Sequence, residues 1–228
     1  MADIRRSALG GHHTQRMSVL LFDFDGTIAD SFFIAKDVFR KLARGRHPTD
    51  EAEIEVLRGL TARQVVKRVG AKWWQLPYIA YYTRKQMKTR LGEVQSFKGM
   101  AEVLAELHKQ GHVMYVASSN SAKNVQTFLQ NNNLADYFDA VHGGIGLFDK
   151  AAALRKVATK HGFVPQDAIY IGDEARDVEA TRRLGMRCIS VTWGYNSLKG
   201  LERARPKEIV NTPKELLKAL QGTAKPAK

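Results

Sequence analysis

Two aspartates, one residue apart, end the first apolar run of the chain. Asp23 and Asp25 stand in "LLFDFDGT", and Gly26 directly after them permits a tight bend. Side chains at positions i and i+2 of a strand point to the same side, so both carboxylates can reach one reacting group. Two carboxylates so close repel each other unless a cation relieves the repulsion. Chemically, one can attack as a nucleophile while the other handles a proton.

Further polar residues follow the later apolar runs. They are Ser118, Ser119 and Asn120 in "HVMYVASSN", Lys150 after "GGIGLFD", and Asp173 and Asp177 in "GDEARD". Ligands of open parallel sheets bind beyond the carboxyl ends of the strands, so we expect these residues to meet Asp23, Asp25 and Thr27 at one rim. Carboxylates suit Mg²⁺, whereas hydroxyls, backbone N–H groups and the lysine suit a phosphate. This combination indicates phosphoryl transfer.

Five apolar runs predict the strands that position these residues. They cover residues 18–23, 112–118, 138–142, 168–172 and 187–192. The runs are nearly continuous, which is typical of strands buried on both faces of a parallel sheet. Apolar residues at helical spacing lie between them. The alternation of strand and helix predicts an α/β fold, a doubly wound parallel-sheet core of the Rossmann-like kind.

One interval breaks this alternation. Residues 32–97 have helical apolar patterns and no convincing strand, so we predict an inserted α-helical cap domain there. The α/β core domain would then comprise residues 17–31 and 98–222. Residues 1–16 and 223–228 are predicted to be disordered tails.

Composition narrows the class of partner. The 228 residues carry a net charge of +13, and the longest apolar runs fall short of the roughly 20 residues of a membrane helix. The basic residues are scattered, and the aromatic residues at 73–82 are interpreted as helix packing, so a small anionic metabolite is expected rather than nucleic acid or membrane. Cys188 stands alone in an apolar run. It is interpreted as a buried apolar residue, and a reducing cytoplasm is the expected location.

The motifs together resemble those of a known family. "DFDGT", "ASSN", the downstream Lys150 and "GDEARD" occur in the order of the four motifs of the haloacid dehalogenase superfamily, and the resemblance spans residues 18 to about 196. The helical insertion looks like the type-1 cap of that superfamily. "YIGDEARDVEATRRLGM" and "VTWGYNS" are most similar to its phosphoglycolate-phosphatase-like branch. The resemblance implies a Mg²⁺-dependent phosphatase acting on a small phosphomonoester, phosphoglycolate-like or a sugar phosphate, through an aspartyl-phosphate intermediate.

By the same resemblance, individual residues receive roles. Asp23 would be the nucleophile, and Asp25 would protonate the leaving oxygen and then activate water. The residues expected to bind the phosphoryl group are Ser118, Ser119, Asn120 and Lys150, of which Lys150 also counts as catalytic.

The metal and the substrate have their own candidates. The resemblance implies that Mg²⁺ is bound by Asp23, the backbone carbonyl of Asp25, and Asp173, with Thr27 and Asp177 in support. "RGLTARQVVKR" looks like the specificity loop of the family, which makes Arg58 and Arg63 candidates for binding substrate.

Other interpretations stay open at this stage. The same chemistry fits a phosphosugar mutase, which returns the phosphoryl group to its substrate. A non-catalytic module that accepts a phosphoryl group or binds RNA belongs to a different class. Ser119 and Asn120 could simply cap a helix, and Asp177 could be a first-turn acid that the helix dipole favours.

Overall fold

A computed structural model describes residues 17–43, 51–68, 70, 72–145 and 149–221. The strands are β1 (Val19–Phe22), β2 (Ala29–Asp30), β3 (Gln95–Ser96), β4 (Val113–Ala117), β5 (Ala140–His142), β6 (Ala168–Gly172), β7 (Arg187–Val191) and β8 (Glu208–Val210). The helices are α1 (Phe32–Ala43), α2 (Glu51–Arg58), α3 (Ala62–Arg68), α4 (Leu76–Thr89), α5 (Met100–Lys109), α6 (Ala122–Asn131), α7 (Lys150–His161), α8 (Ala175–Leu184), α9 (Leu198–Ala204) and α10 (Pro213–Gln221). Short 3-10 turns occur at Trp73–Gln75, Leu91–Glu93, Ala135–Tyr137 and Pro165–Asp167.

Six parallel strands form the central sheet in the order β5-β4-β1-β6-β7-β8. Its middle strand, β1, is the apolar run "VLLF", and Leu20, Leu21 and Phe22 have no exposed surface. Leu20 and Phe22 pack with α5, α6 and α10, whereas Leu21 packs with α7 and α8 on the opposite face. Each fully buried side chain of this size contributes roughly 1.5–3 kcal/mol. Burial on both faces explains why the apolar runs do not alternate.

The order of the strands reverses beside β1. The chain passes from β1 outward to β4 and β5, and then returns to β6 on the other side of β1. The carboxyl ends of β1, β4 and β6 therefore adjoin, and helices on opposite faces leave a crevice there. This is where the acidic and hydroxyl residues are expected to meet.

Helices α1 to α4 all lie between β2 and β3, which pair in antiparallel fashion with Ala29 opposite Ser96. The predicted fold class, a doubly wound core with an inserted helical cap, is confirmed. The exact domain limits given above stay a prediction. The terminal segments 1–16 and 223–228 lie outside the described residues. Within the described part of the chain, no helix is both long and apolar enough to cross a membrane.

The packing interpretation of the cap aromatics is wrong for three residues. Trp74, Tyr78 and Tyr81 are each about 60% exposed, at 58%, 62% and 61%. Helix α4 packs instead through its opposite side, where Ile79 and Met87 are buried. Tyr78 and Tyr81 share the outer face of α4, and Trp74 lies in the 3-10 turn that precedes this helix.

Candidate active site

The turn after β1 places the first acidic residue at the crevice. Asp23 continues the strand, since its N–H donates to the carbonyl of Ile171 at 2.8 Å, and the residue as a whole is only 2% exposed. Gly26 then turns the chain with a φ of +81°. A Cβ atom on Gly26 would lie 2.2 Å from a carboxylate oxygen of Asp173, so only glycine permits this approach. The β1 turn thereby brings Asp23 and Asp173 together.

Three buried carboxylates form one cluster. Asp23, Asp173 and Asp177 each offer an oxygen, and these oxygens lie within 4.8 Å of one another. Asp173 accepts hydrogen bonds from the backbone N–H of Tyr195 at 2.6 Å and from the hydroxyl of Thr27 at 3.0 Å. Burial, followed by the charges of neighbouring carboxylates including Asp23, raises the pKa of Asp173 well above its usual range. A cation at this cluster would relieve that cost.

Lys150 supplies a positive charge at the edge of the cluster. It is the first residue of α7, which Asp149 caps, and its Nζ lies 2.6 Å from Asp23 Oδ2 and 2.5 Å from Asp177 Oδ1. Burial opposes the charge of Lys150, but the two carboxylates outweigh it and raise its pKa. Burial raises the pKa of Asp177 to about 6, although Lys150 acts in the opposite direction. At neutral pH this pair is therefore ionised.

Asp177 has two roles at once. Its Oδ2 accepts the N–H of Glu174 at 3.0 Å and completes a capping box at the start of α8. Its Oδ1 binds Lys150. The helix-cap interpretation and the functional interpretation of this residue are thus compatible, since each uses a different oxygen.

The hydrogen bonds of the Asp25 side chain do not involve the three clustered carboxylates. Its two oxygens accept from Ser31 Oγ at 2.7 Å and Asn120 Nδ2 at 3.0 Å. Burial raises the pKa of Asp25 to about 6, against the effect of these two hydrogen bonds. A carboxyl group with a pKa so near neutrality can both give and take a proton, as general acid–base catalysis requires. Whether the Asp25 carbonyl binds metal stays a prediction.

The residues after β4 form a hydrogen-bonded turn at the same rim. Ser118 is fully buried, and its Oγ accepts the N–H of Asn120 at 3.0 Å. Asn120 in turn binds Asn124 through its Oδ1, at 2.9 Å. The cap of α6 is Ser121, so the capping interpretation of Ser119 and Asn120 is wrong. Those two residues instead line the cavity described next.

A cavity of about 180 Å³ lies between this rim and α4. The core contributes Asp23 and Asp25, and the cap contributes Thr83, Arg84 and Met87. The space is therefore closed on one side by the acidic residues and on the other by the helical insertion. A ligand bound here would contact both.

Three charged residues that line the cavity were not predicted from the sequence. Glu174 and Arg176 lie inside "GDEARD" and bind each other at 2.5 Å, and Arg176 also reaches Ser119 Oγ at 3.5 Å. Arg84 comes from α4. The motif spacing identifies Asp173 and Asp177 only. In a chain with 36 basic residues, nothing in the pattern separates Arg84 or Arg176 from the others.

The two arginines proposed to bind substrate are placed elsewhere. Arg58 donates to the backbone carbonyls of Gly194 and Tyr195 at 2.8 and 3.3 Å. Arg63 is exposed on α3. Neither is among the residues that line the cavity. A contact between either arginine and substrate stays a prediction.

The cluster suits a hard divalent cation. Asp23, Asp173 and Asp177 offer only carboxylate oxygens, the ligands that Mg²⁺ prefers, and their charges exceed that of Lys150. The backbone approaches closely, because a Cβ on Gly194 would lie 2.3 Å from Asp173 Oδ2. The donor set and its tight surroundings thus fit a small ion.

The fold and this site define a class of enzyme. Acidic side chains, a lysine and hydroxyls meet at the carboxyl ends of central parallel strands, and this is the equipment of a phosphoryl-transfer hydrolase. A family model described as haloacid dehalogenase-like hydrolase matches residues 20–191. The chain belongs to this family, and the resemblance seen in its motifs is confirmed.

Individual relatives agree with this assignment. The chain is 35% identical to a phosphoglycolate phosphatase of Synechococcus elongatus over 206 residues, which cover 90% of this chain and 97% of the relative. It is 27% identical to phosphoglycolate phosphatase 1 of Pseudomonas aeruginosa, covering 90% and 80% of the two chains. Among solved structures, a predicted phosphatase from Clostridium acetobutylicum superposes with a TM-score of 0.73 at 25% identity, covering 90% of this chain and 99% of the other. The family and these relatives make the chain a phosphatase, a phosphoric monoester hydrolase.

Proposed function

We propose that this enzyme hydrolyses a small phosphomonoester through an aspartyl-phosphate on Asp23, with Mg²⁺ as its cofactor. The observation that carries the proposal is the contact of Lys150 with Asp23 at 2.6 Å inside a cluster of three buried carboxylates. A carboxylate can act as the nucleophile in covalent transfer of a phosphoryl group, and an adjacent lysine can offset the negative charge that gathers there. Mg²⁺, when bound by Asp23, Asp173 and the backbone carbonyl of Asp25, with Asp177 in support, would neutralise charge on the transferring group.

In the first half of the reaction, an oxygen of Asp23 attacks phosphorus. The new bond from this oxygen to phosphorus forms as the ester bond from phosphorus to the leaving oxygen breaks. Asp25 gives its proton to that leaving oxygen, so the alcohol departs neutral. Lys150 offsets negative charge at Asp23 throughout, since its Nζ keeps the proton.

In the second half, water attacks the phosphorus of the aspartyl-phosphate. Asp25, now a carboxylate, takes a proton from this water. The bond between Asp23 and phosphorus breaks, which releases inorganic phosphate and restores the carboxylate. A pKa of about 6 suits Asp25 both as the proton donor of the first half and as the proton acceptor of the second half. General acid–base catalysis of this kind contributes roughly 10²- to 10⁴-fold.

The proposed substrate is a phosphoglycolate-like monoester. The cavity of about 180 Å³ suits a small molecule, and Arg84 and Arg176 could pair with a second anionic group on it. The two relatives described above, both phosphoglycolate phosphatases, support the same choice. The cytoplasm is the proposed location, on the argument from the single thiol given above.

Phosphate release from phosphoglycolate and from p-nitrophenyl phosphate tests the proposal, with Mg²⁺ and then with EDTA. We expect metal-dependent release that falls at least 10³-fold in Asp23→Asn. Asp136→Asn, at an exposed carboxylate, is the matched control and should keep the wild-type rate. Full turnover by Asp23→Asn, or in EDTA, would contradict the mechanism. Turnover of p-nitrophenyl phosphate without turnover of phosphoglycolate would contradict only the substrate.

A further inference from the structure

Two segments far apart in sequence are fastened together at the edge of the active site. Residues 58–60 comprise the last residue of α2 and the two that follow it in the cap, and residues 194–197 follow β7 in the core. We call the contact between these two segments the latch. The guanidinium of Arg58 donates to the carbonyls of Gly194 and Tyr195. In return, Asn196 Nδ2 donates to the carbonyl of Arg58 at 2.8 Å and to that of Leu60 at 3.2 Å.

The backbones of the two segments also bind directly. The N–H of Ser197 donates to the carbonyl of Arg58 at 3.0 Å. A Cβ atom on Gly200 would lie 2.9 Å from that same carbonyl oxygen, so the approach depends on the missing side chain. The carbonyl of Arg58 thus accepts from both Asn196 and Ser197. This density of hydrogen bonds marks a specific docking contact rather than a chance encounter of two loops.

The core side of the latch reaches the catalytic carboxylates. Asn196 Oδ1 accepts the N–H of Ala175, the first residue of α8, at 2.8 Å. The N–H of Tyr195 donates to Asp173 Oδ2. The hydroxyl of Tyr195 pairs with Ser31 Oγ at 3.0 Å, and Ser31 Oγ donates to Asp25. Residues 195 and 196 therefore contact the cap on one side and the reacting groups on the other.

Arg58 is fully engaged in this contact. Its Nε and Nη2 bind core carbonyls, its Nη1 binds Glu55 at 3.1 Å, and its guanidinium carbon lies 5.6 Å from the centre of the Phe32 ring. Turning it into the cavity would break both bonds to the core. The expectation that Arg58 binds substrate is therefore less consistent with its contacts than a role in fastening the cap.

We propose that Arg58 and Asn196 are positioning residues that couple docking of the cap to the placement of Asp173 and Asp25. The chain of contacts runs from the cap carbonyls through Asn196 to α8, and from Arg58 through Tyr195 to Asp173 and, by way of Ser31, to Asp25. When segment 58–60 docks, residues 194–197 are held and the carboxylates are aligned. This inference rests on the proposed function, because it assigns the latch to the same reaction.

The first test is Arg58→Met, which keeps an apolar stem beside Phe32 and removes the donors to the core. Misplacement of reacting groups lowers turnover, whereas the cavity walls that bind substrate remain. We expect kcat to fall roughly 10- to 100-fold while KM changes less than about threefold. Arg58→Lys, which can still donate to one carbonyl, should recover part of kcat. The matched control is Arg68→Met, which breaks an ion pair between Arg68 and Glu53 within the cap and leaves the latch residues unchanged.

A second variant acts from the core side. Asn196→Asp keeps an acceptor for the N–H of Ala175 but sets a carboxylate oxygen against the carbonyls of Arg58 and Leu60. Like Arg58→Met, Asn196→Asp should lower kcat. The fold-loss of kcat in the double variant should be smaller than the product of the two single fold-losses, because both substitutions break the same contact. Independent, multiplicative effects would overturn the coupling.

Two measurements do not depend on catalysis. Amide hydrogen exchange at Ser197, whose N–H is bound to Arg58, should accelerate in Arg58→Met and not in Arg68→Met. Titration with Mg²⁺ alone should show a weaker affinity in Arg58→Met, because Asp173 loses its alignment. If wild type turns over no phosphomonoester, the proposed function fails, and these two measurements still test the latch. Faster exchange with unchanged kcat and unchanged Mg²⁺ affinity would overturn the inference.

Discussion

Lys150 sets the electrostatics of the buried rim, because it is the cation that directly contacts both Asp23 and Asp177. Its side chain and those of its two partners are at most 3% exposed. Water does not screen charges that are buried so completely, so each charged group depends on its partner to compensate its charge. The identity of this one residue therefore affects stability as well as reaction rate.

Replacing Lys150 by Met is expected to destabilise the protein by about 3–5 kcal/mol at pH 8, since two buried carboxylates lose their counter-charge. The loss should shrink towards pH 5. Without the lysine, the folded-state pKa of Asp177, already raised to about 6, rises further above its unfolded value. A group with a raised folded pKa takes up protons on folding, so acid stabilises the folded form. Urea denaturation at a series of pH values measures this.

The matched control for that substitution is Lys156→Met. Lys156 lies further along the same helix, α7, at an exposed position. Its free energy of unfolding should stay within about 0.5 kcal/mol of wild type at each pH. Equal losses in the two variants would mean that the buried ion pair contributes nothing specific.

Cys188 is the single thiol of the chain and lies buried in β7. Burial, with a smaller effect from the charge of Asp177, raises the pKa of this thiol to about 12. Since the thiolate is the reactive form, the native protein should not react with an aromatic disulfide reagent at pH 8. One equivalent should react once the protein is unfolded in guanidinium. Rapid stoichiometric reaction of the native protein would show that β7 is accessible.

Residue types and their order along the chain predict the site residues of the core well, and predict those of the cap poorly. Asp23, Asp173 and Lys150 are recognisable because each follows an apolar run, and parallel strands end at one rim. Arg84 has no such signal. It reaches the cavity only because α4 packs across the crevice, and that packing depends on contacts between residues distant in sequence.

At the level of elements, the turn between β1 and β2 carries the tightest steric constraint of the site. Gly26 has a positive φ, and an added Cβ would collide with the Asp173 carboxylate at 2.2 Å. Gly26→Ala should therefore cost more than the roughly 1–2 kcal/mol of left-handed backbone alone, and should displace Asp173. We expect at least a 10²-fold loss of kcat, measured with saturating Mg²⁺.

Gly162→Ala separates the two causes. Gly162 caps α7 with a φ of +70°, and a Cβ there would meet no atom within 4 Å. This variant should pay only the backbone penalty, which thermal unfolding measures, and should retain its activity. If both alanine variants lose activity alike, backbone strain rather than collision with Asp173 is responsible.

The elements that sequence patterns missed are short and depend on partners. Strand β8 has three residues, "EIV", and it exists because Ile189 to Val191 of β7 offer a free edge. The pair β2 and β3 has two residues each and joins segments more than sixty positions apart. Strands β1, β4, β6 and β7, in contrast, bury apolar side chains on both faces of the sheet, and the apolar pattern of their sequences reflects that burial.

At the scale of the whole molecule, a net charge of +13 surrounds a small acidic centre. The overall field attracts anionic substrates and opposes the approach of cations. Any Mg²⁺ that binds must therefore gain its free energy locally, from Asp23, Asp173 and Asp177. Because the basic surface repels Mg²⁺ and the buried carboxylates attract it, stabilisation of the protein by Mg²⁺ would report on the carboxylate cluster and not on a general effect of salt.

Thermal unfolding with increasing MgCl₂ should raise Tm, because the cation binds the folded form. At a free concentration about 100-fold above Kd, the gain is about 2.7 kcal/mol, which corresponds to roughly 5–10 °C for a chain of this size. Asp173→Asn should lose most of this rise, since it removes one carboxylate of the cluster. NaCl at matched ionic strength is the control. It screens the repulsion among the surface lysines and arginines equally in both proteins, so a Tm rise that NaCl reproduces, or that Asp173→Asn retains in full, would place the stabilisation at the basic surface instead of the carboxylates.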